Sequence, residues 1–189
     1  MEGELSVEHL SQAEKAIVDL LTFHYVEGFK FNFTTNEKPI LSDVKNNLLV
    51  SCQGIFKFND KFARFDTPEN HSNRKDESLG ALYYVLTGIH LAENHYTLFS
   101  DNYTAPGQLS DAGKGLWEQL IFLGLAENLS DIKHFKLSLP PKERIKALHE
   151  KARREAFDIY KSGRVSAAVK EIQARLRLPA AGEILVNDI

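Results

Sequence analysis

The chain has 189 residues, 43% of them hydrophobic, with twelve Phe, six Tyr and one Trp, which suits a single well-filled core and excludes a disordered or low-complexity protein. The lone cysteine, Cys52, excludes an internal disulfide and has no neighbours at zinc-ligand spacing, so a reducing, cytoplasmic setting is expected. No basic segment followed by an apolar run opens the chain and no stretch reads as a membrane span, so neither a signal peptide nor a membrane partner is expected.

The net charge of −3 is unevenly spread. Residues 1–132 hold 10 Lys/Arg against 19 Asp/Glu, a net −9, whereas residues 133–178 hold 13 against 5, a net +8. An acidic body followed by a basic end has two readings: the basic end docks on the body, or it meets an anionic partner.

In chain order, Ser11 and Glu14 have capping-box spacing, and Ala16, Ile17, Leu20, Leu21 and His24 form one stripe that predicts a helix over 12–27, stopped at Gly28. Phe29, Phe31 and Phe33 alternate with polar residues and predict a half-buried strand. Asn36 to Pro39 reads as a turn. From Ser42 the spacing of Val44, Leu48, Leu49 and Cys52 predicts a short helix ending at Gly54, with a strand over 48–51 as the rival. Residues 55–65 read as a hairpin turning at Asn59-Asp60, and 67–76 as a polar loop. Residues 79–93 are apolar on almost every side, with small Gly80, Ala81, Gly88 and Ala92 allowing close approach, which predicts a central buried helix. A short strand follows at 96–99, then a helix capped by Ser110 and stopped at Gly124, then an edge strand carrying Phe135 and Leu137. Pro140-Pro141 opens a basic helix to about Lys161, broken at Ser162-Gly163, and a second helix runs to Pro179. The domain reading is an α+β body over 1–139, a basic helical hairpin over 140–178 packed on or appended to it, and a tail over 179–189. The fold class expected is α+β, predominantly helical, with a small antiparallel sheet at about residues 29–65 against the central helix.

Three constellations carry chemistry. On the basic helix, Lys142, Lys146, His149 and Arg153 fall at i, i+4, i+7 and i+11, one side beside the apolar stripe, and Arg164, Arg175 and Arg177 could extend this cationic edge toward an anionic ligand. Arg144 and His149 have the Arg-x4-His spacing that resembles HEPN nucleases, which implies His149 as acid/base and Arg144 as charge stabiliser, although Ile145 stands where that family favours a polar residue. His90 and Glu93 share a helical face and could begin a metal or general-base site. Residues 109–127 resemble the helix after the wing in winged-helix regulators, but Lys114 is the one cation over 77–131, which argues against contact with DNA. Residues 160–179 resemble half of a tetratricopeptide unit; one unit cannot stack, so a plain helical hairpin is expected. No phosphate-loop, dinucleotide, HExxH or CxxC signature is present. The leading expectation is therefore a non-enzymatic, soluble interaction or regulatory protein with a protein partner and no cofactor. The alternatives are a nucleic-acid binder acting through residues 140–178, and a small nuclease or metal-dependent enzyme. The Phe-rich strands also leave a homo-oligomer open.

Overall fold

The computed structural model describes residues 9–73, 78–106 and 108–178. Helix α1 (Gln12–Glu27) starts where the sequence dictates: the Ser11 hydroxyl accepts from the Glu14 amide, and the Glu14 carboxylate accepts from the Ser11 amide. Gly28 ends it at φ +65°, and a side chain there would run into Val44. Strands β1 (Lys30–Phe33), β2 (Pro39–Ser42), β3 (Leu48–Lys57) and β4 (Phe62–Asn70) then form an antiparallel meander. After helix α2 (Leu79–Glu93), strand β5 (Thr97–Leu98) joins β4 in parallel, so the five-stranded sheet is mixed.

The fold is mixed α/β, with 46% helix and 23% strand, rather than predominantly helical around a small antiparallel sheet. Two segments account for the difference. The helix predicted from Ser42 is strand, turn and strand. One Asp43 carboxylate oxygen accepts from the amides of Lys45 and Asn47, both at 2.8 Å, the local pattern of a helix cap used here to close a turn. Asn46 takes φ +66° and the chain reverses into β3. The polar stretch after Phe65 does not leave the sheet at once either: Glu69 and Asn70 pair with Ser51 and Val50, so the ladder extends β4 where side-chain pattern alone would end it. The hairpin between β3 and β4 turns at Phe58–Phe62, with the positive φ on Lys61 rather than on Asn59 or Asp60.

Helix α2 fills the centre. Leu79, Leu82, Tyr83 and Leu91 are fully buried, and the Tyr83 ring stacks on Phe65 of β4 while its hydroxyl donates to the Pro39 carbonyl at 2.9 Å. Helix α3 (Asp111–Phe122) begins at Ser110, whose hydroxyl accepts from the Gly113 amide, and stops at Gly124 with φ +74°. A two-stranded sheet follows, β6 (Ala126–Leu129) with β7 (His134–Leu137), tied to the end of β5 by a bridge between Phe99 and Lys136. Thus α3 precedes a hairpin rather than following a wing. Helices α4 (Lys142–Ser162) and α5 (Val165–Leu176) reverse at Gly163 and pack on α1. Glu14 meets Arg144 near the starts of α1 and α4, and the Val26 carbonyl accepts from Tyr160 near their ends, so these two helices run parallel. Among the described residues no helix is long and apolar enough to cross a membrane. The expected tail, 179–189, lies outside the described residues.

Two glycines test the packing in opposite senses. A Cβ on Gly88 would stand 2.2 Å from a methyl of Leu137, itself 4% exposed, and 3.2 Å from Leu139. Gly88→Ala is expected to destabilise by about 1 kcal/mol, overpacking outweighing the gain in helix propensity. A Cβ on Gly115 meets nothing within 4 Å, so Gly115→Ala is expected to stabilise by about 0.5–1 kcal/mol. Urea unfolding of the two variants reads both signs.

Candidate functional site

The basic hairpin divides its cations between two jobs. Arg144 donates through Nε to the Glu14 carboxylate, with the two side chains only 17% and 14% exposed. Arg175 grips Asp19 with Nε and Nη2 at 2.9 and 2.6 Å. These two guanidiniums fasten α4 and α5 to α1 and are not offered to a ligand. The Glu14 carboxylate serves both the α1 cap and the α4 contact, one oxygen to each.

The other cations stay outside. Lys142 and Lys146 are exposed and have no ion pair with another described residue. Arg153 lies over the Tyr25 ring, 5.5 Å from its centroid, and pairs with Glu150 at 2.9 Å. Helical spacing continues this row through Phe157 and Tyr160, which are 59% and 54% exposed, and Lys161 sits over the Phe157 ring. His149, expected in the row, is half-buried and bound through Nδ1 to the Tyr25 hydroxyl at 2.8 Å. Arg164 is exposed and pairs loosely with Glu171 at 3.7 Å, and Arg177 is exposed at the end of α5. The outer face of α4 therefore carries Lys142, Lys146, Arg153 and Lys161 with two exposed aromatic rings among them. Glu143, Glu150 and Asp158 are exposed on the same helix.

The residues named for catalysis do not converge. Arg144 is held by Glu14 and His149 by Tyr25, and those anchors are eleven residues apart on α1, about 16 Å along its axis. His90 stacks on Phe33 with centroids 3.8 Å apart, and its Nδ1 is 3.9 Å from the Glu93 carboxylate, both side chains open to solvent. Among the described residues no group of three or more His, Cys, Asp or Glu is arranged to hold a metal ion. Cys52 is buried, with its thiol 3.1 Å from the Gly54 carbonyl and its pKa raised by desolvation, the opposite of an activated nucleophile.

Sequence reasoning missed a cavity of about 460 Å³. It opens where β5 leaves β4: the two pair only at Phe62 and Ala63, after which Phe99 bridges to β7. From Arg64 onward β4 has no strand on that side among the described residues, and the segment leading into α3 bounds the gap. Arg64 and Asp66 come from β4, Phe56 from β3, Tyr84 from α2, Asp101 from the segment after β5, and Trp117 from α3. Arg64 Nη1 binds Asp101 at 2.5 Å, its guanidinium lies over the rings of Phe56 and Phe58, and its Nε has no partner. The signal in the sequence was slight: Arg64 and Asp66 are charged residues on either side of Phe65 in a strand.

Comparison with protein-family models, with curated proteins and with solved structures finds no match to this chain.

Titration of the α1–α4 seam supplies the test of this arrangement. Burial pushes the His24 pKa down to about 4, with a contribution from His149, and its Nδ1 has no partner. The His149 pKa is lowered as well, by burial and then by Arg153. The unfolded chain takes up a proton at His24 near pH 6.5 that the folded chain refuses until about pH 4, so stability falls as pH drops through that window. The expected loss attributable to His24 is about 3 kcal/mol over the window, and His24→Leu is expected to flatten the slope in urea unfolding. Glu14 is held at about 2, first by its bond to Arg144, so its contribution is lost in a separate window as pH falls from 4.5 toward 2. Glu14→Gln is expected to remove that lower limb and leave the His24 slope intact.

Proposed function

We propose that this chain is a non-catalytic interaction protein whose partner is a protein bearing an acidic segment, bound along the outer face of α4. The observation that carries this reading is the row Lys142, Lys146, Arg153 and Lys161 with exposed Phe157 and Tyr160 beside it. Lys and Arg attract an acidic segment over long range, while exposed aromatic rings are the type of anchor that supplies contact energy at protein interfaces. Glu143, Glu150 and Asp158 on the same helix favour a segment whose acidic residues are spaced by apolar ones over a continuous polyphosphate, whose unbroken charge would meet each of them with repulsion. Arg144 and His149 support the face from behind by fixing α4 on α1, and Arg175 fixes α5 on α1, so none of the three is placed to touch the partner. The buried, unactivated Cys52 accords with work in the reducing cytoplasm.

A second reading, binding of single-stranded nucleic acid, draws on the same alternation of cations and rings, since bases stack on aromatic side chains and phosphates pair with Lys and Arg.

Fluorescence anisotropy at about 50 mM salt distinguishes them. A labelled peptide of alternating Glu and Leu is expected to bind with a Kd in the micromolar range, roughly the strength of a small transient interface. Lys142→Glu with Lys146→Glu is expected to weaken it at least about tenfold, and Phe157→Ala by a similar factor. Both sites are exposed, so the fold should persist, as circular dichroism would confirm. Tighter binding of a roughly twenty-nucleotide single strand, falling linearly in log–log with salt, would transfer the assignment to the second reading.

A further inference from the structure

We propose that the cavity between β4 and α3 binds a small organic amine, with the cationic nitrogen against Asp66 and the body on the aromatic wall. The cavity lies within the size range of small-ligand sites. Its charges do not balance. Arg64 is taken by Asp101 and drawn aside over Phe56 and Phe58. Asp66 accepts only from the Thr67 hydroxyl, at 3.2 Å, and has no cationic partner among the described residues. Directly across the ladder from Asp66 stands Gly54, which has no side chain of its own to offer that carboxylate a partner.

The wall carries unmet polar capacity too. Tyr84 is 3% exposed and Trp117 1% exposed, both line the cavity, and neither the phenol hydroxyl nor the indole N–H has a hydrogen-bond partner among the described residues. A ligand with an acceptor at one end and an ammonium at the other would satisfy them and neutralise Asp66 together. Phe56, Tyr84 and Trp117 give the cavity an aromatic boundary against which the apolar body of such a ligand can lie. An anion could instead accept from the unpartnered Nε of Arg64, the Trp117 N–H and the Tyr84 hydroxyl, and the test is designed around that choice.

Trp117 is the only tryptophan in the chain, so its emission reports this cavity alone. The probes are tyramine and 4-hydroxyphenylacetate, alike in ring and hydroxyl and opposite in charge. Tyramine is expected to shift Trp117 emission saturably with a Kd below about 1 mM, while 4-hydroxyphenylacetate leaves it unchanged. Asp66→Asn is expected to weaken tyramine at least about tenfold and Tyr84→Phe by a smaller factor. Should either variant lose its fold by circular dichroism, the indole N–H resonance of the unaltered protein gives an independent titration. Absence of a saturable response to tyramine, equal binding of the carboxylate, or undiminished binding in a folded Asp66→Asn variant would each overturn the assignment. None of these outcomes bears on α4, no residue of which lines the cavity.

Discussion

One carboxylate ties the two halves of this molecule together. Glu14 closes the capping box that starts α1 and receives Arg144 from α4, so the same side chain fixes where α1 begins and where the basic hairpin lands. About one and a half turns further on, the bidentate pair between Asp19 and Arg175 fixes where α5 lands. Helix α1 is thus a seam: its apolar residues Ile17, Leu20 and Leu21 are fully buried, and its acids receive cations from the C-terminal helices. Ion pairs as little exposed as Glu14–Arg144 are costly to break singly, because the remaining charge is stranded. They specify register more than they add net stability, and here they set the parallel alignment of α1 and α4.

That alignment decides which charges remain available. An uneven distribution of charge could have been cancelled wholly inside the fold. Instead two guanidiniums are consumed at the seam, Lys151 is answered within α4 by Glu155, and the lysines at 142 and 146 are left to solvent. Some of the basic end therefore docks on the body while the rest faces outward. The exposed rings of Phe157 and Tyr160 are harder to account for as ordinary surface, since Tyr160 keeps its hydroxyl on the Val26 carbonyl while more than half of its surface stays open. A ring anchored at its polar end and exposed along its face is pre-ordered for contact, which lowers the entropy lost on binding.

What could be read from the sequence was what local chemistry settles. Ser11 with Glu14, Ser110, Gly28, Gly124 and Gly163 bound their helices through hydrogen bonds or backbone angles that need no distant partner. The errors fell where a distant partner decides. Asp43 makes bonds to the next few amides that suit a helix cap and a turn equally, and only the pairing of Leu41 with Val50 selects the turn. Strand β6, Ala126–Leu129, has no alternation of its own, and its register comes from β7. The cationic row was legible because it lies on one helix with a fixed period. The cavity was not, since its walls come from residues 56 to 117 on four elements and exist only because two strands diverge.

That divergence also bears on what the cavity can admit. An unpaired strand edge ordinarily invites another strand. Beyond Asp66 the edge of β4 is poorly suited to that role. Thr67 has φ +45°, and its pair with Gln53 is missing from the ladder between Cys52–Pro68 and Gly54–Asp66. Pro68 has no N–H to donate, and the charged Arg64 and Asp66 flank the approach. An extended peptide laid along β4 would find neither a continuous row of donors nor a flat surface. A compact ligand needs neither, only the carboxylate and the aromatic boundary that line the cavity. The backbone features that guard β4 against pairing with another chain thus leave the gap beside it to small molecules.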